Sequence, residues 1–332
     1  MKALHVENST GRGGSLRSLR QLLPPPLGIS SKTLALVRSW PVDSKADFTL
    51  PTQNPLALWR LLQRAGTDVL HVNNAPIEAW GALLAAAWEG VPVACHMRSV
   101  RPLRLIERCL QGAIDVLVLL SDVHRRILTT RVPVAVVHHP MEDPGLDPLP
   151  EEPIVGIFSV LKPGKGHDLA LRALAGVRSP WKLKIVGGGL PDQPSTLGPL
   201  RELAAQLGLT SRVEFLGHVD DPLVLMRRCR AVIDLSEKAE GFRRTVAEAC
   251  LLGRPVLASR SGGEADILPP DQILLPHDEG AWTRALETML SDPKGAQMRG
   301  LEARNRALEV LSASNRSQFW GLLASLAREE VR

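Results

Sequence analysis

The sequence predicts an α/β protein of two domains, each a parallel sheet covered by helices. Three observations point to it. Short apolar runs alternate with stretches of helical periodicity along both halves, the rhythm of stacked βαβ units. The 332 residues suffice for two cores of ordinary size. Between the two series lies an acidic, proline-rich segment, Met141 to Pro153, which resists regular structure and is expected to be the interdomain linker.

In the first half, strands are expected near Ala3–Val6, Thr33–Val37, Val69–Val72, Pro92–Cys95, Val116–Leu120 and Val134–Val137. Helices fall between them, among them Ser15–Leu23, Ala75–Trp88 and Arg104–Gly112. In the second half, strands are expected near Ile154–Val160, Lys182–Val186, Val213–Leu216, Ala231–Leu235, Pro255–Ala258 and Ile273–Leu275. The chain is then helical from Gly280 to its end, with Phe319 and Trp320 on an apolar stripe. The reading divides the chain into domains 1–145 and 151–311 and a terminal helix 312–332.

Composition narrows the function. Hydrophobic residues are 44% and charged residues 23%, as in globular proteins. The most apolar stretch, Ala79 to Cys95, is cut by Glu89 and Pro92, so no span of about 18 apolar residues is expected to cross a membrane. MKALHVENS runs straight into a strand and reads as no secretion signal. The four cysteines lack C-x-x-C spacing and suit reduced core thiols, so a cytoplasmic protein, or one at the membrane periphery, is expected. The net charge of +5 fits anionic substrates or an anionic lipid surface. Nucleic acid fits poorly, because Tyr is absent and aromatics are only 4%.

The most telling chemistry lies in EKAEGFRRTVAEACLLGRPVLAS. Glu240 would sit at the carboxyl end of the strand Ala231–Leu235 and Glu248 about a turn into the next helix, which Gly253 ends. Ligands bind at that edge of an open α/β sheet, and a helix N-terminus there favours phosphate. Two carboxylates at this spacing alone would equally suit a loop residue and a helix-surface ion pair. Their flanks, G-F, A-E-A and G-x-P-V, resemble the E-x7-E element of glycosyltransferase family 4, retaining enzymes of the two-domain GT-B architecture.

Other segments carry the same resemblance, strongest from Pro153 to Leu268. Lys165, Gly166 and Asp168 match the family's G-R-L-x-x-x-K-G-x-D segment, while Ser159 and Val160 replace its Gly and Arg. Ile185-Val186-Gly187-Gly188-Gly189 is similar to the strand and glycine loop that approaches the nucleotide. Val213 to Val219 resembles the F-L-G-x-V segment that borders the base, and Ser261 to Ile267 the loop G-G-x-x-E-x-I.

The resemblance implies two Rossmann-like domains facing across a cleft. The first would bind acceptor and the second a nucleotide sugar, with the last helix crossing back to the first. It implies that Glu240 faces the donor sugar, Glu248 holds the ribose, and Lys165, with Lys162 near it, meets the diphosphate. Gly241, Phe242, Arg243, Arg244, Thr245, Gly187, Gly189 and Val219 would complete the donor site. His96 matches by position a histidine that contacts the donor sugar. His138 and His139 at the last first-domain strand fit the family pattern only loosely.

Gly13 and Gly14, in the run that opens the first helix, suit a phosphate or acceptor loop. Arg243 and Arg244 stand at a helix start, where cations oppose the dipole, so one of them is expected to replace the arginine absent at Val160. Arg98, Arg101, Arg104 and Arg108 recur at near-helical spacing, a face that could meet anionic lipid or an acidic acceptor.

The expected activity is transfer of a sugar from a nucleoside-diphosphate sugar, UDP favoured and GDP possible, to a glycan, a lipid-linked glycan or a small molecule. Retention is implied by the resemblance. With no Asp-x-Asp in the chain, no metal is expected. A sugar-nucleotide epimerase of the same fold and a catalytically weak nucleotide-sugar-binding partner subunit are the alternatives.

Overall fold

Parallel strands buried on both faces read as unbroken apolar runs, and such runs organise both halves here. The computed structural model describes residues 1–8, 14–23, 25–36, 46–98, 101–189, 196–237, 241–260 and 262–329. Two compact units result: Met1–Glu142 with Leu311–Arg332, and Asp143–Val310.

The first unit runs β1 (Lys2–Glu7), α1 (Gly14–Leu22), β2 (Ser30–Ala35), β3 (Phe48–Thr49), α2 (Pro55–Ala65), β4 (Val69–Val72), α3 (Trp80–Glu89), β5 (Val93–Met97), α4 (Leu105–Cys109), β6 (Val116–Leu119), α5 (Asp122–Ile127) and β7 (Val134–Val136). The strands form one parallel sheet, ordered β3-β2-β1-β4-β5-β6-β7. Alternation sends Leu4, Val6, Leu70, Val72, Cys95, Met97 and Leu117 to one face, against Leu58 and Leu62 of α2 and Leu83 and Ala86 of α3. Ala3, Val69, Ala94, Val116 and Val118 face the other way.

The second unit runs β8 (Ile154–Phe158), α6 (His167–Ala175), β9 (Lys182–Val186), α7 (Leu197–Gln206), β10 (Val213–Gly217), α8 (Pro222–Met226), β11 (Ala231–Asp234), α9 (Arg244–Leu251), β12 (Val256–Ser259), β13 (Ile273–Leu274), α10 (Glu279–Ser291) and α11 (Pro293–Val310). Its parallel sheet is ordered β10-β9-β8-β11-β12-β13. Val155, Ile157, Leu183, Ile185, Ile233 and Leu257 pack one face against α6, α7 and α10, with Trp282 fully buried among them.

The chain then returns to the first unit as α12 (Ser314–Glu329). Phe319, Trp320 and Leu323 cover Ala3, Val69, Ala94, Val116 and Val118, and the Trp320 indole donates to Leu22 O at 2.9 Å.

The structure departs from expectation in three places. The second strand starts at Ser30 and ends at Ala35, earlier than its apolar run suggested. Helix α2 was not anticipated, although its ends are marked: Asn54 Oδ1 accepts from Leu56 N and Ala57 N, Pro55 opens the first turn, and Gly66 closes it at φ 57°.

The segment expected to be the interdomain linker contains the boundary, after Glu142, but from Asp143 onward it lies as an ordered strap on the second unit. Four arginines hold it. Arg304 pairs with Asp143 at 2.7 and 2.9 Å. Arg227 binds Asp147 and donates to Pro144 O at 2.6 Å. Arg254 donates to Pro148 O at 2.9 Å and Asp147 O at 3.0 Å, and Arg230 donates to Pro150 O at 3.1 Å and to Glu151 O. Arg254 is fully buried, and burial pulls its guanidinium below its ordinary range. The prolines that bar ladder formation leave carbonyls free to accept, which is why the strap is ordered without being a strand.

Candidate functional site

In the second unit, order reverses between β8 and β11, the switch point where open α/β sheets bind ligands at the carboxyl ends of their strands. Parallel pairing brings the loops after β8, β9, β10, β11 and β12 to that one edge. Backbone bonds tie them together: Ser159 N to Val186 O at 3.0 Å, Leu161 N to Gly188 O at 2.9 Å, Gly187 N to Gly217 O at 2.7 Å and Glu237 N to Gly164 O at 3.0 Å.

Two glycines are required by these close approaches. Gly187 has φ 149° and lies where a Cβ would overlap Ser159 O. Gly166, at φ 69°, lies where a Cβ would overlap Leu235 O. Lys162 and Lys165 flank Gly164 on the loop after β8, both half-buried. Gly189 is exposed and Val219 half-buried on the loops after β9 and β10.

Helix α9 begins at this edge. Gly241 is buried, and Phe242, Arg244 and Thr245 are half-buried around the helix start. Glu248 is 5% exposed, and its carboxylate accepts from Arg244 Nε at 2.7 Å, one helical turn earlier. Arg244 thus neutralises the carboxylate expected to hold the ribose. Glu240 and Gly13 lie outside the described residues. Gly14 is the first residue of α1.

Arg243 corrects an expectation. One of Arg243 and Arg244 is expected to meet the donor phosphate, but the Arg243 side chain is 2% exposed and turned inward. Its guanidinium pairs with Asp234 Oδ1 at 3.2 Å and donates to Ser236 O at 2.9 Å, to Ser259 O at 3.3 Å and to Ser259 Oγ at 3.2 Å. A buried cation needs a counter-ion and several acceptors, and the ends of β11 and β12 supply both. Arg243 fastens the two strand ends at the start of α9.

A second polar couple was not foreseen. His167, the first residue of α6, meets Ser159 Oγ through Nε2 at 3.0 Å. Burial lowers its pKa to about 4, helped by Lys165 and opposed by Asp234 and Asp168, so the ring is neutral near pH 7. The only sequence signal was a histidine directly after the Lys-Gly pair.

The first unit carries its own switch point between β1 and β4. There Glu7, fully buried, accepts from Asn74 Nδ2 at 2.7 Å and from Asn73 Nδ2, and Arg98 Nε donates to Asn73 O at 2.7 Å. Burial draws the Arg98 guanidinium down to about 10, against the opposing charge of Glu7. Arg98 is therefore not part of an outward arginine face. His139, nearly buried, lies 3.4 Å from Arg98 Nη1.

His96 is the other correction. It does not stand at an open strand end but is 1% exposed inside the unit. Its Nδ1 lies 2.8 Å from His71 Nε2, and His71 Nδ1 lies 2.9 Å from His5 Nδ1, a chain of three imidazoles across β1, β4 and β5. Phe319 stacks on His96 at 5.7 Å, and Trp320 meets His5 edge-on at 5.3 Å. Strand alternation turns Cys95 and Met97 to the helical face and His96 towards α12. Burial lowers the pKa of His5 to about 3 and holds His71 and His96 well below the ordinary imidazole value.

Residues 143–306, almost the whole second unit, match the family described as glycosyl transferases group 1. The class is thereby defined for the second unit, which carries a glycosyl transferase group 1 domain, and the two parallel-sheet units are those of the GT-B fold. The lipopolysaccharide core biosynthesis mannosyltransferase LpcC of Rhizobium leguminosarum bv. viciae is 26% identical over 308 residues, 87% of this chain and 86% of that protein. The MMP alpha-(1->4)-mannosyltransferase of Mycolicibacterium hassiacum is 29% identical over 164 residues, and the match spans only 39% of its length. The structure of Anabaena Alr3699/HepE with UDP and glucose superposes with a TM-score of 0.83 at 19% identity, over 98% of this chain and 100% of that one, a likeness of fold.

Among the described residues, no group of three or more His, Cys, Asp or Glu could hold a metal ion, and no helix is long and apolar enough to cross a membrane.

Proposed function

We propose that this chain transfers a sugar from a nucleoside-diphosphate sugar, with UDP as its nucleotide, to a hydroxyl of a glycan or lipid-linked glycan. The observation that carries the proposal is the convergence, at the switch point of a group 1 domain, of glycine loops, a lysine loop and a helix start beside the Arg244–Glu248 pair. HepE supports the choice of UDP, and the name of LpcC supports a glycan acceptor.

Donor cleavage leaves negative charge on the departing diphosphate while positive charge builds at the anomeric carbon. Lys165 and the N–H groups at the start of α9 would stabilise the diphosphate electrostatically. Glu248, held by Arg244, would accept the ribose hydroxyls. Glu240 takes the donor-sugar role on the strength of the E-x7-E resemblance. The absence of Asp-x-Asp supports transfer that needs no metal, and the resemblance supports retention of configuration.

Thermal-shift measurements against UDP, GDP and ADP test the nucleotide, since a ligand that binds only the native state raises the melting temperature by mass action. UDP alone should stabilise the protein. Release of UDP from UDP-sugars, with and without EDTA, tests turnover, and NMR of the product's anomeric proton tests retention. Lys165→Met should lower turnover on the order of 100-fold or more, as removing one preorganised donor does. Absence of a shift with all three nucleotides would sink the proposal.

A further inference from the structure

The shortest helix of the first unit presents an unusual surface. On α4, Leu105 is 81% exposed and Ile106 55% exposed, and Arg104 and Arg108 beside them point to solvent. The acid of this helix is turned inward. Glu107 is fully buried, bound by Arg101 Nη1 and Nη2 at 2.6 and 2.7 Å and by Arg104 N at 2.8 Å. Its negative charge is cancelled within the fold, so the outer side of α4 is apolar and cationic only.

The surface is joined by the loop that follows α5. Gln111 Oε1 accepts from Thr130 Oγ1 at 2.8 Å and from Arg131 N at 3.0 Å, joining the end of α4 to that loop. A cleft of about 740 Å³ lies along the join, with Arg108 and Arg131 in its lining beside Gln111, Thr129 and Thr130. On α5, Arg125 and Arg126 are exposed and Ile127 is 44% exposed. Over residues 101–131, five exposed arginines (104, 108, 125, 126 and 131) face two exposed acids, Asp115 and Asp122. Exposed leucine and isoleucine amid an excess of cationic charge complement a layer that is anionic outside and apolar beneath.

We propose that this face docks the protein on an anionic lipid bilayer. Leu105 and Ile106 enter the headgroup boundary, and the cleft of Arg108 and Arg131 takes a lipid phosphate. The inference needs no nucleotide, so it stands or falls apart from the proposed activity.

The test is co-sedimentation of the full chain with vesicles of phosphatidylcholine alone and mixed with phosphatidylglycerol, at low and physiological salt, without nucleotide. Binding should require phosphatidylglycerol and weaken with salt. Arg108→Gln with Arg131→Gln should lower partitioning roughly thirtyfold, at about 1 kcal/mol for each arginine near the surface. Leu105→Glu with Ile106→Glu should abolish binding while leaving the melting temperature unchanged, since both side chains already face water. Equal binding to pure phosphatidylcholine would overturn the proposal, as would no binding to either vesicle at low salt. Glutamate variants at Leu105 and Ile106 that still bind phosphatidylglycerol would reduce the face to a general polyanion surface and also overturn it.

Discussion

Replacing Arg243 by alanine separates two accounts of the same residue. If its guanidinium met the donor phosphate, the apoprotein would keep its stability and lose affinity for UDP. The structure requires the reverse order of effects. The substitution leaves Asp234 with its carboxylate beside a cavity, removes donors from Ser236 O and from both Ser259 acceptors, and unfastens β11 from β12. Removing one partner of a buried ion pair costs about 3–5 kcal/mol. For a domain of this size each kcal/mol moves the melting temperature by about 2–4 °C, so the fall should be roughly 6–20 °C. Calorimetry of the full chain without ligand reads that fall, and hydrogen exchange on peptides spanning 231–237 and 256–260 locates it. Pairing the change with Asp234→Asn should recover part of the loss, because the orphaned charge is then gone. A ligand-free protein as stable as the wild type would refute the reasoning.

Three further outcomes follow from the geometry. Gly187→Ala forces a Cβ against Ser159 O at a backbone angle that only glycine adopts readily, so calorimetry should show a loss of at least about 1–3 kcal/mol, and titration should show weaker UDP binding. Arg254→Ala should release the strap and destabilise the second unit by a few kcal/mol, read as faster proteolysis between residues 143 and 153. The buried histidines set a pH dependence. His5 and His167 have folded values of about 3 and about 4, below the ordinary 6.5, so the unfolded chain binds more protons throughout that interval. Stability should therefore be level above pH 6.5 and fall as the pH drops towards 4, by up to about 1.4 kcal/mol per pH unit for each ring. His5→Leu should flatten the slope measured by denaturant titration, and an unchanged slope would contradict the assignment.

Much of the fold was legible because strands buried on both faces must be apolar throughout. Val69–Val72 and Lys182–Val186 have the bounds their composition suggested. Helix α2 was equally marked, by its caps Asn54-Pro55 and Gly66 and by the i,i+4 spacing of the buried Leu58 and Leu62. What composition cannot show is direction. Arg243 and Arg244 are adjacent and chemically alike, yet one turns inward to Asp234 and the other along the helix to Glu248, because only the fold brings Asp234 and Ser259 to one place. His96 was misread for the same reason. Its strand was evident, but which sheet face would receive α12 depends on residues more than two hundred positions away. The strap was hidden for another reason: its carbonyls and carboxylates are matched by arginines about 80 to 160 residues further along the chain, a complementarity invisible within its own proline-rich stretch.

The strap makes a distinct demand on evolution. Most of the arginines' contacts read carbonyl oxygens, which every amino acid possesses, and few read side chains. Many substitutions along 144–151 should therefore be tolerated, provided Asp143 and Asp147 keep their charge and Gly145, at φ 87°, stays glycine. Spacing is another matter. Inserting or deleting one residue would shift each carbonyl out of step with a guanidinium anchored in the sheet or its helices, so this segment should vary in letters and hold its length.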